Sequence, residues 1–488
     1  MLAVVTAAVH GEPIQKQNLT LPEGADTQRE AVVDIFVDSY EAYMKYAWGH
    51  DDLLPVSESY TDGRNGWGAS IADAMGTMWI MGLCDWFDQA VNYTATVDFS
   101  KSKTDDTVSI FETTIRYVGG FLSAYELSGY QYDVLVDKAE QVAQQMSYAW
   151  VGNNAIPFEY INFTGHEPTI GTLTLEWNRL SLYTNNDTYR QLAEKSVQHI
   201  INMPSPLPGM PANNIDPATG DAVGGYVTWG SGSDSYLEYL IKYPRLTNTD
   251  DNSYADAWLT AVDTSMKELL RTSTVDDWVY LADYDDDKLI RHVGSHLACF
   301  AGGNWILGGK LTNNDTLVDI GLQLTDACWN TYASTATGIG PEEFAYASSD
   351  GNYTGGPAPD EEQLEFYNEH GFYITAPDYI LRPEVLESNF YAWRVTGDTK
   401  YLDNAASAIK SFQQYLTTTV AYTGIDDVDN TESTKIDDME SFWFAEVLKY
   451  LYLTFDDPEH ISLDDYVFNT ECHPFKAPAA KSVYGSSS

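Results

Sequence analysis

The segment FETTIRYVGG places a carboxylate, Glu112, one helical turn before a guanidinium, Arg116, with Gly119 and Gly120 following. At helical spacing Phe111, Ile115, Val118 and Leu122 share an apolar face, whereas Glu112, Arg116, Gly119 and Ser123 share a face with no bulk beyond the charged pair. Such a face suits a helix that lines a polar cavity, because glycine lets a backbone or a ligand come close. The same letters also describe a surface i,i+4 ion pair. Further along, Asp234 stands in GSDSYLEYL at the start of a helix, where Ser235 and Glu238 equally form a capping box. In LRPEVLES, Pro383 suits a first helical turn, which puts Glu384 in that turn and Glu387 one turn on. Free N–H groups and Arg382 should hold Glu384 ionised, the state a general base needs, although ordinary first-turn acid enrichment explains these residues too. In ESFWFAEVLKYLYL, Phe442 and Glu446 share a face, and NTECHP carries Thr470, Glu471 and His473 beyond the last helix.

These side chains can act together only if many helices bring them to one place. From about residue 27 the pattern is helix after helix. Residues 28–47 put Val32, Ile35, Phe36 and Tyr40 on one face, and the nearly all-apolar run Ser70 to Phe87 reads as one buried inner helix. Amphipathic and buried helices then alternate: 132–149, GTLTLEWNRLSLYT with Glu176 beside Trp177, the segment after Asp234, and 253–274, 289–309, 315–335, 384–396, 400–420 and 436–454. Alternating inner and outer helices in one long domain suggest an all-α toroid with a cavity at one end. The tail after Phe475, KAPAAKSVYGSSS, reads as unstructured. Residues 1–26 form an N-terminal segment of signal-peptide character, 27–475 the toroid and 476–488 a flexible tail.

Composition narrows the partners. The 488 residues are 44% hydrophobic, enough for a large core. Aromatic residues reach 13%, with 34 Tyr and 13 Trp, a usage suited to stacking on sugar rings as well as to core packing. With 26 basic against 72 acidic residues the net charge is −46, which repels nucleic acid and anionic membrane surfaces and is compatible with a site for a hard cation. Glycosylation sequons at Asn18, Asn92, Asn162, Asn186, Asn314 and Asn352 favour the secretory pathway. The cysteines, Cys84, Cys299, Cys328 and Cys472, lack CxxC spacing and fit one or two disulfides better than a zinc site. The apolar start MLAVVTAAVHG and the lack of a membrane-length apolar run point to export without an anchor.

FETTIR, GSDSYLEYL, HLACF, LRPEVLES, MESFWFAEVLKYLYL and NTECHP occur here in the order seen in glycoside hydrolase family 47, the class I α-1,2-mannosidases. YAWGHDDLLP and IADAMGTMWIMGL resemble that family as well, so the likeness runs from about residue 30 to 475. It implies an (α/α)7 barrel and inverting hydrolysis of terminal α-1,2-linked mannose from high-mannose N-glycans such as Man9GlcNAc2, with one Ca2+. The missing anchor and the acidic composition point, together with Gly232, to the secreted fungal, Golgi-like kind, expected as a monomer. By the same resemblance Glu112 is the general acid, Glu384 the general base and Asp234 a third essential carboxylate. Within the family the proton donor is argued between the residues matching Glu112 and Asp234, and Arg116 favours the ionised form of Glu112, the wrong direction for an acid.

Thr470 would give the ion its carbonyl and hydroxyl oxygens. Glu176, Glu387, Glu446 and Glu471 would surround the ion and its waters, and Phe442 would stack on the sugar, with Arg116 and Arg382 also among the substrate-binding residues. The segments HLACF and DACWNTY imply a Cys299–Cys328 disulfide and leave the pairing of Cys84 and Cys472 open. One departure stands out: where endoplasmic-reticulum members carry Arg two residues before the aspartate matching Asp234, this chain has Gly232, which implies a cavity open to more glycan branches. A glycan-recognition protein of the degradation-enhancing type and an unrelated α/α-barrel glycosidase fit the ordered motifs and the compact length less well.

Overall fold

The computed structural model describes residues 11–104, 107–161, 163 and 173–486. The apolar N-terminal run and the Asn162 sequon lie outside them. In chain order, outer α1 (Ala25–Tyr46) leads to inner α2 (Ala69–Ile80). Outer α3 (Cys84–Thr96) leads to inner α4 (Ile110–Thr113) and α5 (Gly119–Leu127), joined by a π-helical turn at Thr114–Val118. Outer α6 (Asp133–Met146) precedes inner α7 (Thr174–Thr184), and outer α8 (Thr188–Asn202) precedes inner α9 (Asp234–Thr247). Then come outer α10 (Ser253–Glu268), inner α11 (Phe300–Leu311), outer α12 (Asp315–Ala333) and a peripheral α13 (Glu361–His370). Inner α14 (Glu384–Thr396), outer α15 (Lys400–Tyr415) and inner α16 (Leu448–Phe455), entered through a second π-helical turn at Trp443–Val447, complete the order.

The inner helices touch in sequence, α2 to α5, α7, α9, α11, α14 and α16, and the turn leading into α16 returns to α2. This is a closed ring, and the expected all-α (α/α)7 barrel is what folds. Inner helices such as α11 and α14 are buried almost all round, whereas α6 and α15 bury only the stripe facing the ring. Among the described residues the strands pair two by two, as short hairpins or, for Val108–Ser109 with Tyr160–Ile161, across several helices, apart from one antiparallel three-stranded sheet, Val293–Ser295, Glu343–Ala345 and Tyr373–Ala376. No helix among the described residues is long and apolar enough to cross a membrane.

Three expectations need correction. The apolar run Ser70 to Phe87 is two helices: Gly82, at φ 76°, sits in the left-handed conformation, and Leu83 N–H reaches back to Met78 O and Gly82 N–H to Trp79 O. That arrangement is a Schellman stop, available because glycine lacks a Cβ. The 289–309 segment is a strand, a 3-10 turn at Leu297–Cys299 and then α11, its first part paired into the sheet. The tail, expected to be flexible, is fixed through residue 486: Ala477 N–H bonds Asp465 O, Arg245 Nη1 donates to Pro478 O at 2.6 Å, and Tyr484 is buried with its hydroxyl on Asn248. Buried polar donors of the inner helices need acceptors at the closed end of the ring, and the tail backbone supplies them. Residues 11–24 do likewise, with Gln15 Oε1 accepting from Arg394 Nη1 and Gly11 N–H bonded to Ala480 O.

The implied disulfide is present: Cys299 and Cys328 tie the turn before α11 to α12. Cys84 and Cys472 are both free, one exposed and one buried, so they do not pair with each other.

Candidate active site

One end of the ring opens into a cavity of ≈ 920 Å³. It brings together Glu112, Arg116, Asp234, Arg382, Glu384, Phe442, Glu446, Thr470 and Glu471, residues from five separate stretches of sequence. Glu387 is buried one turn behind Glu384, and Glu176 is fully buried behind Thr470. Gly232 lies on the cavity wall at φ 90°.

Both π-helical turns lie at this cavity. The first carries Arg116 and the second carries Glu446. A π turn inserts one residue into the helical repeat and so re-aims the side chains beyond it, a device frequent at functional sites. Phe111 and Ile115, expected on a core face, line the cavity instead. The glycines behave as their spacing suggests: a Cβ on Gly119 would meet Asn469 Nδ2 at 2.7 Å, and one on Gly120 would meet the Ala72 carbonyl at 2.8 Å.

Arg116 is the hub. Its Nε donates to Glu112 Oε2 at 2.7 Å, and its Nη1 donates to Glu471 Oε1 at 2.6 Å, Ser441 Oγ at 2.9 Å and Asp73 Oδ2 at 3.3 Å. The guanidinium also lies 5.5 Å from the centre of the Phe442 ring. Arg64 adds a second cation 3.4 Å from Glu112. Burial raises the Glu112 carboxyl, but Arg116 and Arg64 outweigh it and hold the group below its ordinary range. Glu112 is therefore a carboxylate at neutral pH.

Glu384 opens α14, and its Oε2 lies 2.7 Å from His296 Nδ1, while His296 Nε2 lies 2.7 Å from the Tyr332 hydroxyl. Burial raises this carboxyl too, yet the His296 hydrogen bond and the Arg382 charge hold it low. Arg382 is itself fixed by a two-pronged contact with Glu342, at 2.6 and 2.7 Å. Leu381 just before it adopts φ 70° and Cys472 just after Glu471 adopts φ 56°. Left-handed backbone at non-glycine residues costs on the order of 1–3 kcal/mol and persists where the surroundings dictate it.

Asp234 goes the other way. It is half-buried in the cavity wall, and enclosure by protein, with Glu238 and Glu384 adding repulsion against its Ser235 backbone hydrogen bond, raises its carboxyl to about 7. The floor is crowded with acids whose carboxyls also rise through burial: Glu176 to about 7, Glu387 to about 8, and Glu446 and Glu471 well above the usual range.

That crowding suits a cation. Glu176 Oε2 is buried with no hydrogen-bond partner, while its Oε1 accepts from Tyr239 OH at 2.5 Å, and Tyr239 OH in turn accepts from Thr470 N–H at 3.1 Å. Neither the hydroxyl nor the carbonyl oxygen of Thr470 has a hydrogen-bond partner among the described residues. No trio of His, Cys, Asp or Glu among them is arranged to grip a metal directly. The chemistry of these donors would fit a hard ion, which the free oxygens of Thr470 could hold above the acidic floor.

Several site residues are not evident from the sequence. Asp73 leaves a signal, a lone carboxylate inside the apolar α2, and it is fully buried between Arg116 and His473. Glu238 reads in sequence only as a cap partner, and His296 only as part of the disulfide segment. Nothing in the letters points to Arg64, Tyr239 or Lys242.

Residues 35–477 match the sequence pattern of Glycosyl hydrolase family 47. The chain is 38% identical over 501 aligned positions to the probable mannosyl-oligosaccharide alpha-1,2-mannosidase 1B of Aspergillus clavatus, covering 95% of this chain and 96% of that one. It is 39% identical over 478 positions to the mannosyl-oligosaccharide alpha-1,2-mannosidase of Coccidioides posadasii, covering 92% and 90%. Its fold superposes on the alpha-1,2-mannosidase from Trichoderma reesei with a TM-score of 0.88 at 36% identity, covering 93% of this chain and 99% of that one. Since the pattern runs almost the length of the barrel and the relatives match over nearly their whole chains, this chain belongs to glycosyl hydrolase family 47.

Proposed function

We propose that this enzyme is an inverting, calcium-dependent exo-α-1,2-mannosidase that trims terminal α-1,2-linked mannose from high-mannose N-glycans such as Man9GlcNAc2. It acts as a secreted or secretory-lumen monomer. The observation that carries the reading is the opposite setting of two carboxyls in one cavity: Glu384 held ionised by His296 and Arg382, and Asp234 raised to about 7. Groups whose surroundings push them apart in this way sort into base and acid.

Glu384 is the base. His296 occupies its Oε2, leaving the other oxygen to take a proton from the attacking water. Asp234 delivers a proton toward the leaving oxygen, a role the sequence resemblance left between it and Glu112. Glu112, held as a carboxylate by two arginines, orients the sugar and water on that side. Asp234 and Glu384 stand on α9 and α14, which have α11 between them in the ring. That placement supports the gap of about 6.5–9.5 Å that inversion needs to admit a water. Phe442 offers its ring to the sugar at the cleaved end.

Thr470 would hold Ca2+ through its carbonyl and hydroxyl, with Glu176, Glu387, Glu446 and Glu471 around its waters. When bound, the ion binds and orients the hydroxyls of the terminal sugar and balances the charge of the floor. Incubation with Man9GlcNAc2, followed by proton NMR of the released sugar, tests the reading. β-Mannose as first product, abolished by EDTA and restored by Ca2+, is expected. α-Mannose as first product, or release indifferent to chelation, would overturn it.

A further inference from the structure

Beneath the two carboxyls assigned as acid and base, one buried lysine joins the helices that carry them. Asp234, Glu238 and Lys242 succeed one another at i, i+4 and i+8 down the inward side of α9. Lys242 and Glu238 are almost wholly buried, with side chains 1% and 4% exposed, and Lys242 Nζ donates to Glu238 Oε1. The same Nζ lies 3.7 Å from Glu387 Oε1 on α14, one turn below Glu384, and 5.7 Å from the centre of the Tyr391 ring. A single cation is thus shared by carboxyl groups from α9 and α14, neighbours of α11 in the ring.

We propose that Lys242 is a positioning residue of the reaction: by clamping Glu238 and Glu387 it fixes Asp234 against Glu384 and keeps a compensated negative charge directly below Asp234. An apolar residue in its place would leave Glu238 as an uncompensated buried charge, which must either take up a proton or pull away from its neighbours. Both responses reach the site, since Glu238 stands one turn from Asp234 and Glu387 one turn from Glu384. Glu238 is the first-ranked charge that raises the Asp234 carboxyl, after burial itself. The titratable groups facing this pair are Asp234 and Tyr239 on α9, Glu176 on α7, Glu387 and Tyr391 on α14, and Cys472 beyond α16. Lysine suits the place because its charge sits on a compact head with three donors, able to serve two helices at once.

The inference rests on the assignment of Asp234 and Glu384, and its test separates the two. Wild type, Lys242→Met, Glu238→Gln and the double variant are assayed for kcat and KM on α-1,2-linked mannobiose across pH, with folding checked by circular dichroism. Lys242→Met is expected to lower kcat by about tenfold to a hundredfold with KM little changed, as misplacement of reacting groups does. Because the lysine acts in part through Glu238, the double variant should lose less than the product of the two single losses. Glu238→Gln, which keeps the hydrogen bond but not the charge, should move the alkaline limb of kcat to lower pH, and it carries the test if Lys242→Met does not fold. A folded Lys242→Met with more than half the wild-type kcat, losses that multiply in the double variant, or an unmoved alkaline limb in Glu238→Gln would overturn the clamp alone. Wild type releasing no mannose would overturn the acid–base assignment and the clamp with it.

Discussion

His296 Nδ1 lies 2.7 Å from Glu384 Oε2, with the far nitrogen of the imidazole engaged by Tyr332. Burial alone would raise the Glu384 carboxyl, and this hydrogen bond is the largest influence opposing it. As the proposed base, Glu384 must be ionised, so the acidic limb of the pH profile should report it. Replacing His296 by Ala removes a hydrogen bond to a charged group, worth about 1.5–3 kcal/mol, and should move that limb upward by about 1–2 pH units. The alkaline limb, set by Asp234, should stay. A pH profile of kcat/KM whose acidic limb does not move would remove His296 from this role.

The proton donor can be told apart from Glu112 by the leaving group. Asp234→Asn should lose about 10²- to 10⁴-fold in kcat on an α-1,2-linked disaccharide. On α-mannosyl fluoride, whose leaving group needs no proton, most of that loss should vanish. Glu112→Gln, which removes a carboxylate that Arg116 and Arg64 already hold ionised, should be impaired on both substrates alike. Rescue of Glu112→Gln by the fluoride, with none for Asp234→Asn, would reverse the assignment.

How much of the fold and site is legible in the sequence varies by element, for physical reasons. Helix α14 is readable in full, because Pro383 before it and Gly397 after it, at φ 65°, are local signals. The lowered carboxyl of Glu384 is readable for the same reason, since a first helical turn and an adjacent Arg382 are sequence neighbours. The link from His296 to Glu384 spans 88 positions and leaves no local trace. The π-helical turns at Thr114–Val118 and Trp443–Val447 are equally invisible, because no residue type marks them, and Phe111 and Ile115 read as core because their spacing is apolar. The tail misleads because alanine, proline and serine look disordered by composition, whereas its order comes from backbone acceptors that composition does not register.

Chelation should be read by stability as well as by turnover. Glu176 and Glu387 rise in the fold to about 7 and about 8, above the ordinary 4.5, so without the ion the folded state binds more protons than the unfolded one. Stability of the ion-free protein must then fall as pH climbs through that interval. We expect EDTA to lower the thermal midpoint only slightly at pH 4.5 and much more at pH 8, with Ca2+ restoring it. Equal shifts at both pH values would mean that the floor acids do not share the ion. Thr470→Val should abolish the Ca2+ effect while leaving the EDTA-treated midpoint nearly unchanged.

The ordered tail predicts its own test. Truncation after Lys476 exposes the acceptor-dependent guanidinium of Arg245, which donates to Pro478 O and Asp464 O at 2.6 Å each, and removes buried Tyr484. Loss of one buried aromatic and of one acceptor, Pro478 O, to a buried cation should cost about 3–5 kcal/mol, seen as a lower urea midpoint with kcat unchanged at low temperature. A midpoint equal to that of the full chain would restore the reading of the tail as a passive extension.

Gly232 combines two roles that substitution should separate. Its φ of 90° belongs to the left-handed region, and a Cβ there would meet Asn213 Oδ1 at 2.6 Å, the same oxygen that accepts from Ser233 Oγ. The wall loop is therefore built around the missing side chain, so an arginine at this place cannot simply be added to an otherwise unchanged cavity. Gly232→Ala should destabilise by about 1 kcal/mol or more through backbone strain alone, with the range of trimmed branches unaltered. Gly232→Arg should add to that loss a narrowing of the products from Man9GlcNAc2, because the long cation projects into the cavity where outer branches must pass. If the two variants give the same products, the openness of the site comes from the wall segment that carries Asn213 and not from the absence of a side chain at position 232.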